Sequence, residues 1–181
     1  MTVQLGIEVG DFPLGTSLTG NKRADRVLDH LAAAWTDFHA AYAGLDDDDL
    51  MVPGVCGEWS IRDLIAHVTW WDQESIDHLP ITLAYGRLPR YSQRYGGIDA
   101  FNVLKTKEQA LLSLDEVRAE ADATHQWLLD YLLGRDPVEW VGNTRFRHRL
   151  KLDTWSHYPI HAADIRAWRS NPEWVDQSDA G

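Results

Sequence analysis

"GEWSIRDLIAHVTWWDQESIDHL", residues 57–79, reads as one long amphipathic helix, and that reading decides the fold class. Ile61, Leu64, Ile65, Val68, Trp71 and Ile76 recur at mostly three- and four-residue spacing, the mark of a single buried helical face. Ser60 stands at the N-cap, and Asp63 takes the acid position of a capping box, where Glu or Gln is more usual. Pro80 is expected to stop the helix. His67 falls mid-helix beside the apolar stripe, between Leu64 and Trp71. Burying an imidazole there without a partner costs on the order of 1–3 kcal/mol, so it calls for a hydrogen bond or a metal ion. Asp63 and Glu74, four before and seven after it, are the hydrogen-bonding alternatives on the same helix.

The same periodicity continues on both sides. Over 21–43, Val27, Leu28, Leu31, Trp35, Phe38 and Tyr42 form an apolar stripe, with Gly44 as a C-cap candidate. The acidic run 46–49 is expected to be a solvated turn, because adjacent carboxylates repel, and it lacks the spaced ligands of a calcium loop. Residues 81–97 read as a long irregular connection and 98–112 as another helix. Ser113 and Glu116 make a capping box for the next helix, which Gly134 ends. Its expected buried side holds Val117, Ala121, Trp127, Leu128, Tyr131 and Leu132. Residues 135–149 are expected to be a loop or a short extended pair. A last long helix follows, terminated by Asn171 and Pro172. The expected fold is therefore all-α, an antiparallel four-helix bundle over 21–171 with a long loop or short helix between helices two and three. Residues 1–20 and 172–181 are expected to be tails.

Bulk properties narrow the function. With 181 residues, 44% hydrophobic and 25% charged, the chain has the composition of one globular domain. A net charge of −11 argues against binding nucleic acid, whose phosphates would be repelled. A single cysteine, Cys56, excludes an internal disulfide and a thiolate metal cluster. The opening MTVQLGIEVGDF has neither a basic n-region nor a long apolar run, so no signal peptide is expected. No stretch approaches the ~20 apolar residues of a membrane span. A cytoplasmic location and no membrane partner are the expectations.

Eight histidines need sorting. His30, His39, His78, His125 and His148 are scattered and are expected to face solvent or make one hydrogen bond each. His157 and His161 in "DTWSHYPIHAADIRAW", residues 153–168, stand four apart, the spacing that stacks two rings on one helical face. In a bundle a third ligand comes from a facing helix, and His67 is the best candidate. Pro159 either bends the last helix, freeing the Trp155 carbonyl, or sits in the first turn of a helix that starts near Tyr158 with His157 at the cap.

The tryptophan–serine start of the second helix with its histidine, Phe101–Asn102, and the closing "HYPIHAADIRAW" together resemble the DinB-like superfamily, nearest its ClbS/DfsB-type branch. The resemblance spans roughly 21–169. It implies a divalent metal, nickel or zinc, held by His67, His157 and His161, and ferrous iron accepts the same three imidazoles. Relatives often carry Gln where this chain has Asp164, which would lie on the ligand face to orient an imidazole or act as a base. The superfamily includes thiol-dependent isomerases and transferases, which implies a small-molecule substrate and a low-molecular-weight thiol as co-substrate. Homodimers built through bundle faces are common in such families.

Three histidines leave an open coordination position, as in catalytic sites. Asp63, Glu74 and Asp164 are the acids available as supporting groups or as a base. Trp59, Trp71, Tyr158 and the 85–95 loop are candidate walls of an apolar pocket, although core packing explains the tryptophans equally well. Two activities follow: a metal-dependent hydrolase or transferase, or a metal-independent protective hydrolase or small-molecule-binding protein like those of the ClbS/DfsB-type branch.

Overall fold

The computed structural model describes residues 14–15 and 17–171, and among them the chain is all-α, with no strand. Helix α1 (Lys22–Tyr42) begins where the Asn21 side chain accepts the Arg23 and Ala24 amides at 3.0 and 3.3 Å. It buries Leu28, Leu31, Trp35 and Phe38. Gly44 follows the C-cap residue Ala43 at φ +81°, a left-handed turn that glycine adopts without a Cβ clash. The end of the expected N-terminal tail is tied to this helix, since Asp25 accepts from Thr19 and Asp29 from the Gly15 amide. Residues 1–13 and the tail at 172–181, Pro172 included, lie outside the described residues.

The acidic run is a helical turn, α2 (Asp47–Leu50), where a solvated turn was expected. Asp46 accepts the Asp49 amide at 2.9 Å and Asp49 returns the bond at 3.1 Å. Charge at a helix N-terminus meets unsatisfied amides, which offsets the repulsion and lets Leu50 reach the core.

Helix α3 (Ile61–Leu83) is the hub, packing against α5 (Ile98–Gln109), α6 (Leu114–Leu133) and α8 (Thr144–Asp153). The Ser60–Asp63 capping box forms as expected, at 3.2 Å to the Asp63 amide and 3.1 Å to the Ser60 amide. Pro80 does not stop the helix. It lies on the exposed side of the last turn, where water can take the carbonyl that loses its donor, and the Ala84 amide still reaches the Pro80 carbonyl at 3.0 Å. The expected irregular connection after it contains one short helix, α4 (Tyr91–Arg94).

On α6 the Ser113–Glu116 box and the Gly134 C-cap stand where expected. Val117, Ala121, Leu128 and Leu132 are buried, but Trp127 is 55% exposed, out of phase with their spacing of four, seven and four. Residues 135–149, expected as loop or extended chain, fold into α7 (Pro137–Val141) and most of α8. Asp136 and Asn143 cap these helices through the Val138 and Phe146 amides. Of the two alternatives for Pro159, the fresh start is the one seen: α8 ends at Asp153, and α9 (Tyr158–Arg169) begins with His157 at its cap and packs on α1.

A polar network holds this break against α3. The Tyr158 hydroxyl lies 2.6 and 2.7 Å from the two oxygens of Asp72, a carboxyl with no exposure. His125 stands 3.6 Å from Asp72 and stacks on Trp35 with centroids 4.0 Å apart, so this histidine is interior. Nearby, Asp153 accepts from Ser75 at 2.7 Å and pairs with Arg149 at 2.6 Å. Burial pushes both carboxyls upward, Asp153 to about 7 despite the opposing Arg149. Removing the phenol oxygen leaves Asp72 short of a partner. Tyr158→Phe should therefore lose about 1–3 kcal/mol in urea unfolding, with the helical circular dichroism of the folded state unchanged.

Candidate metal centre

Three rings from two distant segments meet near the start of α9. His67 comes from the second turn of α3, His157 is the residue before α9, and His161 lies one turn further on. The chain reaches this arrangement through Thr154, whose φ of −121° and ψ of −102° leave the helical region. The amides of His157 and Tyr158 then converge on the Thr154 carbonyl at 2.7 and 2.9 Å. Pro159 is the second residue of α9, where an amide has no intrahelical acceptor to lose. The proline thus starts the helix.

The ring centroids form an equilateral triangle, each pair 4.8 Å apart, with ring planes at 71–88° to one another. Nε2 of His157 lies 3.0 Å from Nε2 of His67 and 3.0 Å from Nε2 of His161. Each such nitrogen carries one proton or one lone pair, so a single nitrogen facing two others cannot make two full hydrogen bonds. Nitrogens bound ~2.1 Å from a common ion and mutually cis stand about 3 Å apart, so the donor set fits one divalent ion. On the far side of His161, Nδ1 meets Asp164 at 3.1 Å. That contact holds the proton on Nδ1 and turns the Nε2 lone pair toward the other rings.

Burial keeps the rings neutral. It lowers His67 to about 2, with His157 and His161 adding to the effect. It lowers His157 to about 4, helped by His161 and opposed by the Asp153 carbonyl. His161 is lowered by burial as well, against the pull of Asp164. Neutral imidazole is the form that ligates a cation.

The other expected site residues are divided. Trp59 lies against His67, centroids 4.7 Å apart, and Trp71 stands 6.4 Å from His67 and 6.3 Å from His157. Asp63 is engaged in the capping box and with Arg62 at 2.9 Å. Glu74 accepts from Tyr91 and stands 3.6 Å from His78. Neither carboxylate is the partner of His67, whose Nδ1 is buried without a hydrogen bond. Tyr158 belongs to the Asp72 network instead of the triad's wall, because its hydroxyl is drawn to that carboxyl. Two neighbours escaped the sequence reading. Trp70 packs edge-on to His67 at 4.7 Å, and Cys56 lies with His161 and Asp164 in a second group whose ligand atoms are within 4.8 Å. Burial and then Asp164 raise the Cys56 thiol. No helical phase marks it, since it sits in the turn closed by its pairing with Trp59.

Residues 30–158 match the DinB superfamily, and the chain belongs to that superfamily. The matched span holds His67 and His157, and His161 lies just beyond it. No curated protein and no solved structure matches the chain. Among the described residues no helix is long and apolar enough to cross a membrane.

The depressed basicity has a measurable consequence. At pH 5 an unfolded histidine, near 6.5, is protonated, whereas folded His67 and His157 are not. The triad's contribution to stability is therefore intact above pH 6.5 and falls as pH drops toward 4, because the unfolded chain binds the extra protons. In metal-free protein at pH 5, imidazole nitrogen spectra should show both rings still neutral. Protonated rings at that pH would refute the assigned burial.

Proposed function

We propose that the protein is a divalent-metal-dependent enzyme acting on a small molecule, as a hydrolase or a thiol-dependent transferase, with His67, His157 and His161 as the ligands. The observation that carries this reading is the convergence of three neutral Nε2 atoms, 3.0 Å apart in two of the pairs. A metal-independent enzyme of the ClbS/DfsB type would leave these nitrogens crowded with too few protons to share.

A divalent ion bound there would act as a Lewis acid toward a water, a thiol or a carbonyl. The protein's own groups supply the rest. Asp164 fixes the tautomer and orientation of His161. Trp59 and Trp70 wall His67 on two sides and keep water from its ring. The Asp72–Tyr158 bond holds the start of α9, and with it His157, at a constant distance from α3. The side chain of Asp164 is 35% exposed and can also take a proton from an incoming nucleophile. Nickel, zinc and ferrous iron all accept three imidazoles, so the ligand set does not choose between them.

Metal analysis of the purified chain, reconstituted in turn with nickel and zinc, should find one equivalent. His67→Ala, His157→Ala and His161→Ala should each abolish it. Asp164→Asn should weaken affinity by roughly 10–100-fold, the usual effect of losing a carboxylate behind a ligating histidine. Substoichiometric metal after reconstitution, unaltered by replacing all three histidines, would sink the proposal.

A further inference from the structure

A groove of about 470 Å³ lies between α1 and α8, and none of the triad's ligands lines it. Helix α1 lines it with Arg23, Arg26, Val27 and His30, and α8 with Thr144, Arg147, His148 and Lys151. Both sets follow the spacing of zero, three, four and seven, so each is one complete helical stripe. Trp155, four residues past Lys151, closes one end, its ring 6.4 Å from His30 and tilted only 22° from it.

The charge of this groove runs against the molecule. The chain carries −11, yet no acidic residue lines the groove and four permanent cations do. Among the described residues, none of Arg23, Arg26, Arg147 and Lys151 has an ion pair or side-chain hydrogen bond. By contrast Arg62, Lys105, Arg118, Arg135, Arg149 and Arg166 each pair with a carboxylate. The acids nearest in α1 are committed elsewhere: Asp25 accepts from Ser17 and Thr19, and Asp29 from the Gly15 amide. Like charges three and four apart on one helix repel, and here two such stripes share a groove. An anion relieves that repulsion.

From this we infer that the groove is a binding site for a small phosphorylated aromatic molecule of the nucleoside-diphosphate class. Three arginines and a lysine are suited to adjacent phosphates, with the guanidinium forks giving bidentate contacts. Trp155, partly exposed, offers a flat apolar face for a ring. The volume lies in the range of small-ligand sites, and the chain's overall negative charge disfavours a long polyanion. The inference stands on residues separate from the metal ligands and does not depend on the proposed reaction.

Calorimetric titration of the full chain in magnesium-free buffer, with ADP as the probe, tests it. ADP should saturate one site, and adenosine and pyrophosphate should each bind roughly tenfold or more weakly. Raising salt from low to near-molar should weaken ADP by about tenfold or more. Arg147→Glu with Lys151→Glu should weaken ADP about a hundredfold while metal content and circular dichroism stay unchanged. Arg23→Gln alone, a milder change, should weaken it severalfold. Trp155→Leu should weaken ADP but not pyrophosphate. No saturable ADP binding at low salt would overturn the inference, as would equal affinity in the charge-reversed variant. Binding to phosphatidylserine vesicles without binding to ADP would overturn it too, in favour of a membrane surface.

Discussion

Everything at the candidate centre depends on the interruption between α8 and α9. Had the chain continued as one helix through Thr154, Pro159 would have lain in its interior, clashing with the carbonyl four residues back. The departure of Thr154 from helical angles ends one helix and lets Pro159 open the next. His157 thereby sits at a helix start, with His161 one turn above it, and both rings reach α3. The interruption is held by buried polar groups on either side, Asp153 with Ser75 and Arg149, Tyr158 with Asp72.

Helix α3 serves both halves of this arrangement. His67 serves the triad, and Asp72 and Ser75, five and eight residues further along the same helix, serve the polar network that positions α9. Around α9, two carboxyls raised by burial thus lie near the triad's three imidazoles, which burial lowers. Both shifts have one cause, the cost of charge in a poorly solvated interior. Hydrogen bonds satisfy the carboxyls, whereas the imidazoles have mainly one another, which is why the donor set suits a cation.

Much of the helical organisation was legible along the chain. Capping boxes at Ser60 and Ser113, the apolar stripes of α1 and α3, and the Gly134 terminus are local features with local causes. The four-residue spacing of His157 and His161 was equally visible, as was the suitability of His67. The misreadings came where local capping or tertiary context outweighs propensity. Pro80 is tolerated because it faces outward near a helix end, and the 46–49 run is helical because its acids cap their own amides. Tyr158 looked like a pocket wall, yet the buried carboxyl of Asp72, 86 residues earlier in the chain, claims its hydroxyl.

The sequence by itself determined the all-α class, the superfamily resemblance and the histidines worth considering, because periodicity and spacing along a helix are short-range properties. Only the tertiary structure decided that His67 meets His157 and His161, that Asp72 claims the Tyr158 hydroxyl, and that two basic stripes share a groove. Those outcomes rest on which helix faces oppose one another across more than eighty residues of chain, and no local pattern encodes that distance.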